Sequence, residues 1–330
     1  CGFGMRLVIN VRTPTFVLSG SRLYMGLDAV IIGNALHVID IGRLPMDQLL
    51  RIKSMEINQA LSTIASLVSR DPGNYTLRRY DVISRCDANE VLDHNPEGIP
   101  PSEVKGFIRT AYLYRLLTMN EELRRSFFKN VSEGIASGSR LNALSTWAED
   151  DALSIGVTWL EYGGTAIYRL FKDLAVRQVS RPQPRDYGVY CIQDRSNKFR
   201  AMAIGLRPGT RLEYDIAIRH APTTEGVRDK LLNLNDVAEA IRLFSSDVTS
   251  FEASRGLSAP NCGGGVPVRL GFGVGRRWKT VINLIERYDR ELAGKVVDYV
   301  SRRLNRPWGD ATIRLANNEP VGWACIEVVP

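Results

Sequence analysis

The sequence predicts an α+β fold, and three observations lead to it. Stretches of alternating apolar and polar residues open the chain, recur in its middle and close it. Between them lie longer runs with apolar residues at helical spacing. The types therefore follow one another as strands, helices, strands, helices, strands, with no repeat at the roughly 20–50-residue periods of solenoids. The clearest boundary is Arg181-Pro-Gln-Pro184, where two prolines cannot continue a helix, and it divides the chain into residues 1–182 and 183–330.

Taken in order, RLVINVR at 6–12 alternates as a strand, and DAVIIGNALHVIDI at 28–41 reads as a hairpin turning at Gly33-Asn34. Met46 to Val68 has helical spacing, ended by Asp71-Pro72-Gly73, and a basic helix starting at Ser102 leads into helical material through about Leu174. Strands are expected at 187–193, 199–206 and 211–218, the last two joined by the β-turn sequence Arg207-Pro-Gly-Thr210. Residues 235–254 read as a helix, Ala259 to Val268 as a loop, and Trp278 to Leu304 as helical with a break at Gly294. The end, 311–329, alternates as strands around Asn317-Asn318.

Composition narrows the function. The 330 residues are 44% hydrophobic and 24% charged, as in globular proteins, and the net charge of +7 points to an acidic partner such as nucleic acid. From Arg169 to Arg219 eleven cations face five carboxylates, a local +6, with Tyr187, Tyr190 and Phe199 interleaved; a solvated face is the competing reading. No run approaches the roughly 18 apolar residues of a membrane span. The opening CGFGMRLVIN lacks a charged segment followed by an apolar core, so no signal peptide is expected and Met5 is a candidate natural start. The five cysteines and three histidines are scattered without a C-x-x-C pair, so neither disulfides, nor a metal site, nor any cofactor is expected, and a reducing, cytoplasmic setting fits.

Two segments carry chemistry. In GIPPSEVKGFIRTAYLYRLL at 98–117, Ser102 is the expected N-cap, while Phe107, Ile108, Ala111, Tyr112 and Tyr114 to Leu117 form an apolar face. Lys105 near the helix start opposes the macrodipole, a conflict that a polyanion lying there would relieve, and Arg109 and Arg115 add charge. In RLGFGVGRRWKT at 269–280, Gly271, Gly273 and Gly275 let backbone approach another surface closely. Arg276, Arg277 and Lys279 follow, with Phe272 and Trp278 as stacking faces, a combination suited to single-stranded nucleic acid. The segment has neither the spacing of a P-loop nor that of a dinucleotide fingerprint; a glycine-rich hairpin with solvated arginines is the alternative. Catalytic candidates are few: Asp28 after the loop SGSRLYMGL, and His37 in its strand.

GIPPSEVKGFIRTAYL resembles the IPGSSLKGxxR signature of the RAMP superfamily of CRISPR proteins, with Ile99, Pro100, Ser102, Lys105, Gly106 and Arg109 on matching positions and Pro101 and Glu103 departing from it. RLGFGVGRRWKT is similar to that superfamily's C-terminal glycine-rich loop. The ending EPVGWACIE at 319–327, with TPTFVLSGSRL near the start, is similar to the branch formed by the fifth Csm subunits of type III-A effector complexes. The resemblance leaves about 118–180 unmatched. It implies a ferredoxin-like, RRM-like core with helical insertions and a smaller C-terminal α+β part. It also implies a non-catalytic subunit that binds the 3′ region of the crRNA, caps the filament of backbone subunits and supports 3′-end maturation by recruiting nucleases. The RNA-binding residues would be Ser102, Lys105, Arg109, Gly271, Gly273, Gly275, Arg276, Arg277 and Lys279. The rival is a RAMP ribonuclease, either a target-RNA slicer using Asp28 or a repeat-processing enzyme using His37.

Overall fold

The computed structural model describes residues 4–159, 164–196, 198–220, 231–308 and 313–329; Cys1 lies outside them. The chain begins with strands β1 (Gly4–Val11), β2 (Leu18–Tyr24), β3 (Ala29–Ile32) and β4 (Ala35–Ile39). Helices α1 (Met46–Lys53) and α2 (Ile57–Arg70) and the single turn α3 (Pro72–Tyr75) lead into β5 (Thr76–Val82) and β6 (Glu90–His94). Helices α4 (Pro101–Met119), α5 (Glu121–Ala136) and α6 (Leu141–Ala152) follow. Strands β7 (Ser154–Trp159), β8 (Gly164–Arg169), β9 (Leu174–Gln178), β10 (Tyr187–Asp194), β11 (Arg200–Leu206) and β12 (Arg211–Ile218) come next. The rest is α7 (Leu234–Ser254), β13 (Val266–Arg269), α8 (Ile282–Tyr288), α9 (Arg290–Leu304), β14 (Arg314–Ala316), β15 (Glu319–Pro320) and β16 (Trp323–Val329).

One sheet runs β13-β16-β1-β12-β9, all antiparallel. The other runs β2-β6-β11-β10-β5-β4-β3, with β14 against the end of β10 and β15 against β14. In it the pairs β10–β5 and β11–β6 are parallel. Both sheets take strands from either side of residue 182, so the Pro-rich segment divides the sequence and not the packing. The turn at Arg207–Thr210 forms, with Gly209 at φ +92° and the Thr210 N–H donating to the Arg207 carbonyl at 3.2 Å. It passes the chain from the second sheet to the first and closes no hairpin. Three other expectations change. The helix expected over Met46–Val68 breaks at Ser54, the break near Gly294 falls at Asp289, and Ser154–Trp159 and Gly164–Arg169 are strands where helix was expected through about Leu174. Among the described residues no helix is long and apolar enough to cross a membrane.

The helix α4 is a core element, not the surface amphipathic helix its cations suggest. Val104, Phe107, Ile108, Ala111, Tyr112, Leu113, Tyr114 and Leu117 are buried around its circumference, against α7, α5 and β9. Each large apolar side chain so covered contributes about 1.5–3 kcal/mol. Its cations tie it to neighbours: Lys105 Nζ donates to the Leu174 carbonyl at 2.7 Å, Arg109 pairs with Asp150 at 2.7 Å, and Arg115 pairs with Glu239 at 2.8 Å. Ser102 is not the cap. Pro100 occupies that position without a side-chain bond, because Pro101, whose nitrogen has no hydrogen to satisfy, already suits the first helical residue.

Among the described residues, the face of the first sheet that carries Arg6 is charged and has no rings along β1, β9 and β12. Arg6 pairs with Asp215 at 2.9 Å and Glu213 at 3.3 Å; Arg177 pairs with Asp215 at 2.5 Å, and Arg211 with Glu213 at 3.1 Å. RRM-type sheets that hold RNA stack bases on aromatic side chains, which this face does not offer. Of the basic stretch, Arg177 and Arg211 are thus paired with carboxylates of the stretch itself, Arg207 pairs with Asp81 at 2.9 Å, and the interleaved Tyr187 and Tyr190 are buried.

The cysteines overturn an expectation. Cys86 is disulfide-bonded to Cys191 and Cys262 to Cys325, both with Cα atoms 5.5 Å apart, so the argument from cysteine usage to a reducing compartment falls. The partners are 105 and 63 residues apart, brought together by the fold and not by local spacing.

His94 gives the fold a pH dependence. Its Nδ1–H donates to the Asn95 carbonyl at 2.9 Å, which leaves Nε2 to accept from the Tyr80 hydroxyl at 2.8 Å, and its ring stacks on Tyr187 at 3.9 Å. Burial, the largest cause, pulls its pKa below the ordinary value, and Arg78 adds to this against Asp93 and the backbone bond. The unfolded chain therefore takes up the proton more readily. The stability is complete above the unfolded pKa of about 6.5 and is lost as pH falls from there toward the folded value, by up to about 1.4 kcal/mol per pH unit. Thermal melts are expected to show a lower Tm at pH 5.5 than at pH 7.5, with the difference reduced in His94→Gln; an equal difference in the variant would count against this residue.

Candidate nucleic-acid interface

Three segments far apart in sequence meet at the glycine-rich loop. The Phe272 N–H donates to the Phe16 carbonyl at 2.6 Å, the Leu270 N–H to the Gly322 carbonyl at 2.9 Å, and the Gly322 N–H to the Pro14 carbonyl at 2.9 Å. The Arg12 and Thr13 N–H groups both donate to the Trp323 carbonyl. The first loop, the glycine loop and the Gly-Trp strand, each picked out in the sequence, are thus one hydrogen-bonded junction.

Beyond the junction the loop walls a cavity of about 250 Å³, lined by Phe272, Gly273, Val274, Gly275, Arg276, Lys279, Thr280, Trp308 and Arg314. Gly273 and Gly275 both have φ +85°, and their N–H groups donate to no acceptor among the described residues. Arg276 donates to the Trp308 carbonyl, and its guanidinium lies 5.1 Å from the Trp308 ring centre. Lys279 keeps an exposed side chain, yet the protein crowding its ammonium lowers its pKa, opposed by Glu103. Glu103, the carboxylate that opposes this shift, is in the first turn of α4.

The structure gathers some of the sequence-picked residues and separates others. Gly273, Gly275, Arg276 and Lys279 line the cavity, while Gly271 is in the junction against Phe16. Exposed Ser102 lies in the first turn of α4, next to Glu103. Lys105 and Arg109 are engaged by Leu174 and Asp150 as described above. Arg277 turns inward: it is 3% exposed, pairs with Glu286 at 2.6 Å and lies 3.5 Å from the Phe251 ring centre. Trp278 is buried edge-on to Phe244 and Trp323, so it is no stacking face. Asp28 accepts from the Tyr24 N–H at 2.9 Å, and buried His37 meets the Thr76 hydroxyl at 3.0 Å, its pKa lowered by burial and then by Arg79. Among the described residues no group of three His, Cys, Asp or Glu side chains could hold a metal ion.

Sequence reasoning missed Trp308 and Arg314. Neither belongs to a recognisable motif, and both reach the cavity only because α9 and β14 flank the glycine loop in space.

No protein-family model and no curated protein sequence matches the chain. Solved structures do. One is a chain of the Csm–crRNA–target RNA ternary complex of a type III-A CRISPR-Cas system, 18% identical, with a TM-score of 0.68 over 98% of this chain and 100% of that one. Another is Csm5 of T. onnurineus, 19% identical, with a TM-score of 0.59 over 96% of this chain and 99% of that one. The chain shares its fold with these proteins over nearly its whole length.

Proposed function

We propose that the chain is a non-catalytic RNA-binding subunit of a Csm-like, type III-A CRISPR effector complex, in the position of Csm5. It binds the 3′ region of the crRNA, caps the filament of RAMP backbone subunits and supports 3′-end maturation. Its partners would be the crRNA, those backbone subunits and nucleases recruited for trimming, and its place the cytoplasm. The observation that carries this reading is the junction of first loop, glycine loop and Gly-Trp strand beside a cationic, aromatic cavity, in a chain with the Csm5 fold over nearly its whole length. Backbone N–H groups and cations suit phosphates, so contacts are to the RNA backbone more than to base edges. The ribonuclease alternative is weakened by Asp28, which closes its own turn, and by His37, which is packed against Thr76.

The test is fluorescence anisotropy with single-stranded RNA across a salt series. Affinity is expected to fall with salt by about 0.7 in log–log slope per phosphate contact, with Lys279→Ala removing about one such contact. A salt-independent affinity, or none, overturns the reading. Incubation with magnesium is expected to leave the RNA intact; cleavage abolished by Asp28→Ala or His37→Ala would establish the nuclease instead.

A further inference from the structure

Arg314 is held in an unusual way for a surface arginine. Its guanidinium centre lies 4.1 Å from the ring centre of Phe199 and 4.5 Å from that of Phe272, and the two rings are 6.1 Å apart, tilted by 47°. Its Nε is buried with no hydrogen-bond partner, and it makes no ion pair among the described residues. Burial holds its pKa down, Arg306 does the same and only Asp194 opposes them. A half-buried charge without a counter-ion is costly, and an arriving anion removes that cost.

The surroundings say which anion. Arg314 shares the cavity with Lys279, with the N–H groups of Gly273 and Gly275, and with the rings of Phe272 and Trp308; among the described residues no carboxylate lines it. Phosphate donors and flat apolar surfaces together fit a nucleotide, and a volume of about 250 Å³, just under the roughly 300–1,000 Å³ of ligand sites, limits the occupant to one unit. Among the described residues the one hydroxyl in the wall, Thr280 Oγ1, is already used: it donates to the Arg276 carbonyl at 2.8 Å and accepts from the Ile282 N–H at 3.3 Å. It is therefore a poor reader of base edges.

We propose that this cavity is a subsite for a single nucleotide, whose phosphate is held by Arg314 and Lys279 and whose base stacks on Phe272 or Trp308 whatever its identity. The proposal rests on the RNA-binding reading above and adds to it a site, a seated arginine and indifference to base. The nucleotide is either internal to a strand or its terminal residue; the chemistry is shared.

The experiment measures binding of the full chain to U, A and C homopolymers of equal length, each with a 3′-hydroxyl or a 3′-phosphate. The three bases are expected to bind within about threefold of one another, since stacking tolerates every base. A preference between the two 3′ ends assigns the terminal nucleotide, and equal binding assigns an internal one. Arg314→Gln and Phe272→Leu are each expected to weaken binding about tenfold, the first also lowering the salt slope by about 0.7. Crosslinking of a 4-thiouridine strand to the unmutated chain, independent of any variant's folding, is expected at 266–280 or 313–316. Binding by a well-folded Arg314→Gln equal to that of the parent, or crosslinks confined elsewhere, overturns the subsite and leaves the RNA-binding reading standing. A parent chain that binds no strand overturns both.

Discussion

Replacing Arg269 with alanine is expected to destabilise the protein by about 3–5 kcal/mol. Arg269 is 2% exposed, and its Nη1 pairs with Glu252 of α7 at 2.9 Å. Its Nε and Nη2 both donate to the Val321 carbonyl, at 3.1 and 2.9 Å, and Nη1 also reaches the Val274 carbonyl at 3.4 Å. One side chain therefore fastens α7, the glycine loop and the approach to β16. Truncation leaves the Glu252 carboxylate buried without its cation, and burial already pushes that carboxyl's pKa up against the pull of Arg269. It also leaves two carbonyls short of a donor, each adding to the loss. Urea denaturation measures the effect. Arg269→Met combined with Glu252→Leu is expected to recover most of it, because an apolar pair needs no mutual neutralisation. A loss under about 1 kcal/mol in Arg269→Ala would mean that the pair is not dry.

Arg269 also marks where the sequence stops being informative. Its motif was legible, as were strands β10 and β12, helix α7 and the turn at Asn317–Asn318, whose φ angles of 50° and 62° suit asparagine. These depend on alternation, periodicity or turn chemistry within a few residues. What each cation does depends on distant partners. Lys105 finds a carbonyl 69 residues away, Arg115 a carboxylate 124 away, and nothing near either residue announces it. The same holds for the disulfides and for Arg314, whose two rings come from the residue before β11 and from the glycine loop. Helix was expected through about Leu174, but the β-branched residues of SIGVTW outweigh helical spacing over Ser154–Trp159. The glycine loop was therefore read correctly as a close-approach backbone, while its neighbours had to be seen.

Gly271→Ala tests that close approach directly, and a loss of about 2–5 kcal/mol is expected. The residue has φ +86°, and a Cβ there would stand 2.4 Å from the Phe16 carbonyl oxygen. That oxygen is backbone and already accepts the Phe272 N–H at 2.6 Å, so it cannot turn aside as a side-chain end would. The loop must instead move off the first loop, carrying Phe272 away from Arg314 and opening the cavity wall. Gly256→Ala separates the two contributions: its φ is +80°, but its Cβ would meet nothing within 4 Å, so it carries left-handed strain alone, about 1–2 kcal/mol. Chemical denaturation should rank Gly271→Ala well below Gly256→Ala in stability, and RNA affinity should fall only in the first. Equal losses of stability would show that conformation alone selects glycine at 271. A folded Gly271→Ala that binds RNA as the parent does would show that the junction and the cavity are mechanically independent.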